Sequence, residues 1–250
     1  MDKNKTIFYE FPVQMKKIRS TKEQEGIAFL DPKHAKVLRI RPGEIVKILL
    51  ANGKFALGEV IDEAKAKIIK IETPIEPKIN IYLILSMLKR QSNEIAVEFT
   101  SQIGVKKIIP VITERVNFDI PEHKRKKIKE RFMRISSENA RVSGTIIPEI
   151  NDVIDMKKVP EVLDRDKVDL RIVFWEDSKY TFKPDYIKDR EKIAIFVGPE
   201  GGFSEREIDF LRKHGFSDFN LGRRIIKAEF FPIYICSVLD FISNIDQTKL

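Results

Sequence analysis

Between Ile7 and Ile71 the apolar positions come in short runs separated by turn residues: Gly26 to Leu30, Ile45 to Leu50, Lys54 to Val60 and Lys67 to Ile71. Runs of that length predict a small β-rich unit. Asn52-Gly53 lies between two of them and predicts a hairpin, because both residues tolerate positive φ. The one helical interruption, Asp31 to Arg39, has Asp31 as an N-cap and Pro32 at the first helical position, and it stops near Pro42-Gly43. Thr73-Pro74-Ile75-Glu76-Pro77 then predicts an extended linker, since its two prolines lack amide donors.

Beyond the linker, apolar runs alternate with helical periodicity. Strands are predicted at Ile79 to Leu85, Lys107 to Ile112, Leu170 to Trp175, Ile193 to Val197 and Phe219 to Leu221. Helices are predicted at Asn93 to Ile103, Pro121 to Val142, Glu205 to Lys213 and Ala228 to Ile242. Ile95, Phe99 and Ile103 mark the buried face expected of the first helix, and Gly104 its C-cap. Ile128, Phe132, Ile135 and Val142 mark the buried face of the second; its other side carries Lys124, Arg125, Lys126, Lys127, Lys129, Arg131, Arg134 and Arg141. The alternation predicts a mostly parallel α/β sheet, so the expected domains are 1–73, a β-rich unit, and 78–250, an α/β unit.

Composition narrows the function classes. The chain has 250 residues, 42% hydrophobic and 34% charged, which fits a folded protein with a core that needs no staple. One cysteine, Cys236, and three histidines leave no cluster at metal-ligand spacing, so no metal is expected. Cys236 sits in an apolar stretch and is expected buried and inert, and His34 is expected to be structural. Without an apolar leader or a run long enough for a membrane span, a cytoplasmic protein is expected. The net charge of +8 draws polyanions, making RNA or DNA a leading partner class, although a Lys/Glu-rich surface alone explains much of it.

Two segments carry candidate chemistry. In Ile193 to Glu207 a buried strand stops at Gly198-Pro199-Glu200-Gly201-Gly202-Phe203, and Ser204 with Glu207 forms a capping box that opens the next helix. Backbone amides then face whatever lies beyond the strand's carboxyl end, which is where open α/β sheets bind ligands. The glycine spacing satisfies neither the dinucleotide nor the P-loop fingerprint. Glu200 would repel a triphosphate, whereas a cationic or neutral cofactor such as S-adenosylmethionine, with its sulfonium, is compatible with it. A plain strand-to-helix turn explains the glycines equally well. The second segment, Asn220-Leu221-Gly222-Arg223-Arg224-Ile225-Ile226-Lys227-Ala228-Glu229, puts cations and a carboxylate after another glycine-bearing strand end, or simply charges a solvated surface.

Together, Gly198-Pro199-Glu200-Gly201-Gly202-Phe203-Ser204 and Leu221-Gly222-Arg223-Arg224-Ile225-Ile226 resemble the ribosomal RNA small-subunit methyltransferase E (RsmE) family of the SPOUT superfamily. His34, Val37-Leu38-Arg39 and Pro42-Gly43-Glu44 extend the resemblance into the first domain. Lys89, Glu94, Gly104-Val105, Pro110, Glu114-Arg115, Glu138 and Pro148 extend it through the second.

The resemblance implies a PUA-like β-barrel followed by an α/β domain tied in a deep trefoil knot that holds S-adenosylmethionine. It implies a homodimer acting on 16S ribosomal RNA of the assembled small subunit, at N3 of a uridine, with no membrane partner. Phe174, Val197, Gly198, Pro199, Glu200, Gly201, Leu221, Gly222, Ile225 and Ile226 are then the expected cofactor residues. Glu229 is the expected base or orienter, and Arg224 and Lys227 are the expected stabilisers of developing charge. Arg39, Lys89, Arg90, Arg115, Lys126, Arg134 and Arg141 are expected to face RNA. Trp175 fits a core or interface aromatic better than a ligand stack. The chain departs from the family pattern at Phe99, Gln102, Val142, Thr145, Lys227, Ala228 and Phe230. Those losses leave open a catalytically weakened RNA-binding or ribosome-assembly factor, and the glycine loops alone leave open an unrelated nucleotide enzyme.

Overall fold

A computed structural model of the chain describes residues 16–51, 54–88, 92–116, 120–222 and 224–245. The expected hairpin at Asn52-Gly53 and the RNA candidates Lys89 and Arg90 lie outside the described residues, as does Arg223. The chain divides into two compact units, residues 1–74 and 75–250.

In the first unit β1 (Lys17–Gln24), β2 (Ile27–Leu30), α1 (Pro32–Leu38), β3 (Ile45–Leu49), β4 (Phe55–Asp62) and β5 (Lys65–Glu72) follow in order. The strands close into a barrel in the order β1-β2-β5-β4-β3, sealed by a parallel pairing of β1 with β3. Alternation points Val46 and Ile48 of β3, Ala56 and Val60 of β4, and Ala28 and Leu30 of β2 into one core. β1 was not expected, because Ile18 is its single buried apolar side chain. Its polar run is held by neighbours on both edges, which closure alone supplies. Asp31 caps α1 as expected, its Oδ1 accepting from Lys33 N at 2.9 Å.

The second unit contains β6 (Asn80–Ser86), α2 (Ser92–Ile103), β7 (Lys107–Ile112), α3 (Glu122–Ser143), β8 (Glu149–Ile150), β9 (Ile154–Asp155), α4 (Val159–Asp166), β10 (Leu170–Phe174), β11 (Lys192–Val197), α5 (Glu205–Lys213), β12 (Phe216–Phe219) and α6 (Phe231–Asn244). Every pairing in its sheet is parallel, and the order is β12-β10-β11-β6-β7-β8, with β9 also on β7. β6 and β11 lie inside that order and are buried along nearly their whole length, which explains why they read as continuous apolar runs. Ile81, Leu83 and Leu85 pack with residues of α2, α3 and α6, while Tyr82 and Ile84 pack with residues of α4 and α5. The sheet is therefore covered on both faces.

Several elements differ from the sequence expectation. α2 buries Ala96, Val97, Thr100 and Ser101, whereas Phe99 is 46% exposed and Ile95 only half-buried. Thr100 and Ser101 satisfy their hydroxyls on the carbonyls of Ala96 and Val97, both at 2.6 Å, so small polar residues can form the packed face. Val142 is 57% exposed, while Phe132 and Ile135 of α3 are buried. α6 begins at Phe231 instead of Ala228, because Pro232 belongs in a first turn and its ring would clash with the residue 228 carbonyl inside a longer helix. β12 ends where the predicted strand began. Its buried polar residue, Asp218, masked the period, and Arg212 makes that burial possible through Nε–Oδ1 and Nη2–Oδ2 bonds of 2.9 and 3.0 Å.

The Arg212 fork holds the Asp218 carboxyl below the usual carboxylate range despite its burial. A depressed carboxylate pKa adds stability above the unfolded value, near 3.9, that disappears as pH falls through the folded value. Asp218→Asn should cost about 1–3 kcal/mol in urea denaturation at pH 7. It should also make the thermal midpoint fall less steeply than that of the unsubstituted chain between about pH 4 and pH 2.

Candidate active site

Three strands end side by side. In the register Phe174 of β10 stands opposite Val197 of β11 on one edge and Phe219 of β12 on the other. Parallel neighbours are about 4.8 Å apart, so the chains leaving β11 and β12 start about 10 Å from each other, with β10 between them. Both carry glycines and both run beyond the carboxyl edge of the sheet.

A cavity of about 660 Å³ opens at that edge. Phe174, Val197, Gly198, Pro199 and Glu200 line it from β10 and the β11 end, and Leu221, Gly222, Ile225 and Ile226 from the chain after β12. The catalytic candidates Arg224, Lys227 and Glu229 line it as well. Gly201 is not among the lining residues. The Pro199–Gly202 turn, closed by Gly202 N donating to the Pro199 carbonyl at 2.9 Å, sets Gly201 against Arg115. A Cβ at position 201 would lie 3.3 Å from the Arg115 Cβ. Gly202 lines the cavity in its place. Its φ is +67°, and a Cβ there would come within 2.7 Å of Glu176 Oε1, so only glycine fits without strain.

The second turn is shaped by Asn220. Its Oδ1 accepts from Gly222 N at 3.0 Å and its Nδ2 donates to the Ser178 carbonyl at 2.6 Å, an Asx turn that carries Gly222 through a φ of +91°. Beneath the first turn the Phe203 ring packs edge-on against Phe196, with centroids 5.0 Å apart, and fills the space beside Gly198. Trp175 packs against the core, as expected, and also lines the cavity, with the Arg212 guanidinium 5.6 Å from its ring centre. The lining is chemically divided. Phe174, Phe219, Phe231 and Leu221 are apolar, while Glu176, Glu200 and Glu229 bring carboxylates. Among the described residues the side chains of Glu176, Arg224, Lys227 and Glu229 make no hydrogen bond or ion pair, so these groups remain available to a ligand.

A family model described as an RNA methyltransferase domain matches residues 75–240, and one described as an RNA methyltransferase PUA domain matches residues 33–73. The ribosomal RNA small subunit methyltransferase E of Mesomycoplasma hyopneumoniae (strain 232) is 32% identical over 81% of this chain and 87% of its own length. The chain belongs to the RsmE family. The RsmE of Buchnera aphidicola from Acyrthosiphon pisum is 30% identical over 78% of each chain. Among solved structures, a methyltransferase from Legionella pneumophila, in complex with the cofactor S-adenosylmethionine, is 25% identical with a TM-score of 0.74, over 92% of this chain and 98% of that one. The RsmE of Neisseria gonorrhoeae, at 23% identity, a TM-score of 0.72 and coverage of 91% and 98%, shares the fold.

The RNA candidates of this RsmE member are scattered in their environments. Lys126 and Arg134 are exposed on α3, Arg39 is exposed at the left-handed end of α1, and Arg141 is half-buried. Part of the basic face of α3 is neutralised within the fold: Arg125 meets Glu122 and Asp155, Lys129 meets Asp152 at 3.0 Å, and Arg131 meets Glu94 at 2.6 Å. Arg115 is not aimed at solvent alone, because its Nη1 donates to the Gly201 carbonyl at 2.7 Å. Sequence reasoning missed Gly202 and Asn220 as site residues. An asparagine two residues before a glycine, at a strand end, was the available signal for the second turn. Among the described residues no His, Cys, Asp and Glu cluster is placed to hold a metal ion, and no helix is long and apolar enough to cross a membrane.

Asn220→Ala removes both ends of the Asx turn. It should lower stability by about 1–2 kcal/mol in urea denaturation and speed amide exchange at Gly222, while exchange within β11 stays unchanged.

Proposed function

We propose that this chain transfers a methyl group from S-adenosylmethionine to N3 of a uridine in 16S ribosomal RNA of the small subunit, working in the cytoplasm as a homodimer. The observation that carries the reading is the meeting of two glycine turns around one cavity whose lining is apolar at Phe174, Leu221 and Phe231 and acidic at Glu176, Glu200 and Glu229. A volume of about 660 Å³ lies within the range of small-molecule sites. Turn backbones suit hydrogen bonding to an adenine edge, apolar walls suit its faces, and carboxylates suit a sulfonium and an ammonium. The residues therefore fit the cofactor. The all-parallel strand order, with β11 between β6 and β10, is compatible with the deep trefoil knot that the family resemblance implies.

S-adenosylmethionine supplies an electrophilic methyl on a cationic sulfur. The rest falls to the protein. Uracil N3 must lose its imide proton as it attacks, so the N3–H bond and the methyl–sulfur bond break, an N–CH3 bond forms, sulfur leaves with its electron pair as a neutral thioether, and negative charge develops over the ring oxygens. In this reading Glu229, half-buried on the cavity wall, accepts or orients that proton. Arg224 and Lys227, which line the cavity on the same segment, stabilise the developing charge in this reading. The apolar walls limit water around that step, which strengthens both effects. On the RNA side, Arg39, Lys126, Arg134 and Arg141 carry the contacts in this reading. Lys126 and Arg134 make no ion pair among the described residues.

Calorimetry with S-adenosylmethionine, followed by transfer of labelled methyl to small subunits lacking the modification, tests the reading. No cofactor binding at millimolar concentration would remove it. Tight binding to the subunit without transfer would favour an assembly factor, the reading that the departures at Lys227, Ala228 and Phe230 motivate. Gly202→Val should abolish detectable cofactor binding while leaving the barrel's amide exchange unchanged. Glu229→Gln should reduce kcat by about 100-fold or more with cofactor affinity within threefold.

A further inference from the structure

We propose that Arg115 and Glu207 are positioning residues that hold the 198–203 loop in its ligand-binding shape, and that Arg115 acts through the Gly201 carbonyl instead of on RNA. The inference rests on the reading that this loop holds S-adenosylmethionine.

The loop is fastened from outside the cavity. Glu207 is 4% exposed, and each of its carboxylate oxygens has a different task. Oε2 accepts from Ser204 N at 2.9 Å, which is the capping box and needs nothing beyond α5 itself. Oε1 accepts from Glu114 N at 2.7 Å, a bond that helix capping does not require. Ser204 Oγ also donates to the Glu114 carboxylate. Arg115, the next residue, reaches the Gly201 carbonyl. The turn after β7 is thus bound to the turn after β11, although β6 separates those two strands in the sheet.

The peptide between Gly201 and Gly202 shows what the fastening achieves. Its carbonyl points to Arg115 and its N–H to the Pro199 carbonyl, so both polar ends are satisfied away from the cavity and the peptide plane cannot rotate cheaply. That plane presents Gly202, at positive φ, to the cavity wall beside Glu176. Without Arg115 the carbonyl loses its partner and the plane is free to turn. The binding-competent loop then becomes one of several populated shapes, and apparent affinity falls in proportion.

The experiment uses the full chain. Arg115→Ala should raise the Kd for S-adenosylmethionine about tenfold, the effect of losing one charge-assisted hydrogen bond. KM for the cofactor should rise in step, kcat at saturating cofactor should fall less than twofold, and affinity for small subunits should hold. Arg115→Lys, which keeps a single donor, should recover part of the loss. Glu207→Gln places an amide donor against one of two N–H donors and should weaken cofactor binding at least as much. If that variant fails to fold, the exposed Arg115 position still decides. Unchanged cofactor Kd with weakened subunit binding in Arg115→Ala would overturn the proposal and return Arg115 to the RNA surface. Should the unsubstituted chain bind no S-adenosylmethionine, the underlying reading fails separately. Amide exchange at residues 201–204 then tests the fastening alone: faster exchange in Arg115→Ala supports it, and equal exchange overturns it.

Discussion

The pairing of β10 between β11 and β12 is the constraint on which the site depends. Phe174, Val197 and Phe219 stand level in that register, so two chain segments separated by more than twenty residues leave the sheet at the same height. Neither turn encloses a ligand-sized space alone. Side by side at the carboxyl edge of a parallel sheet they bound one cavity, lined at its base by the strand ends Phe174, Val197 and Phe219.

Each turn is held by its own set of polar groups. Asn220 closes the second through its own amide, a local device. The first relies on Phe203 below it, on Glu207 in the helix that follows, and on Arg115, which is distant in the chain and does not line the cavity. Leaving Glu176, Arg224, Lys227 and Glu229 unpaired among the described residues is consistent with this division of labour. The fastening groups bond to one another, while these four charged side chains line the cavity.

Charge on the rest of the molecule follows a similar logic. The excess of cations looked like a continuous basic helix, yet α3 spends Arg125, Lys129 and Arg131 on carboxylates from neighbouring segments. Exposed pairs of this kind contribute little to stability, but they remove those side chains from the set free to meet phosphates. The surface that remains for a polyanion is smaller and more specific than net charge suggests.

The family, the parallel α/β character of the second unit, its main strands and the two glycine turns were all legible in the sequence. The signals are local: buried runs, a capping box at Ser204 and Glu207, and glycines at strand ends. β1 was hidden because closure of the barrel, not its own pattern, supplies its partners. β12 was displaced because Asp218 is buried with a partner, which periodicity cannot see. The packed face of α2 was misread because small residues pack closer than Phe99 can. Local sequence thus determined which turns could bind a ligand, since positive φ and missing side chains are properties of single residues. Tertiary structure decided that Gly202 and not Gly201 lines the cavity and that Arg115 bonds the Gly201 carbonyl, because those facts depend on groups brought together only when the sheet has formed.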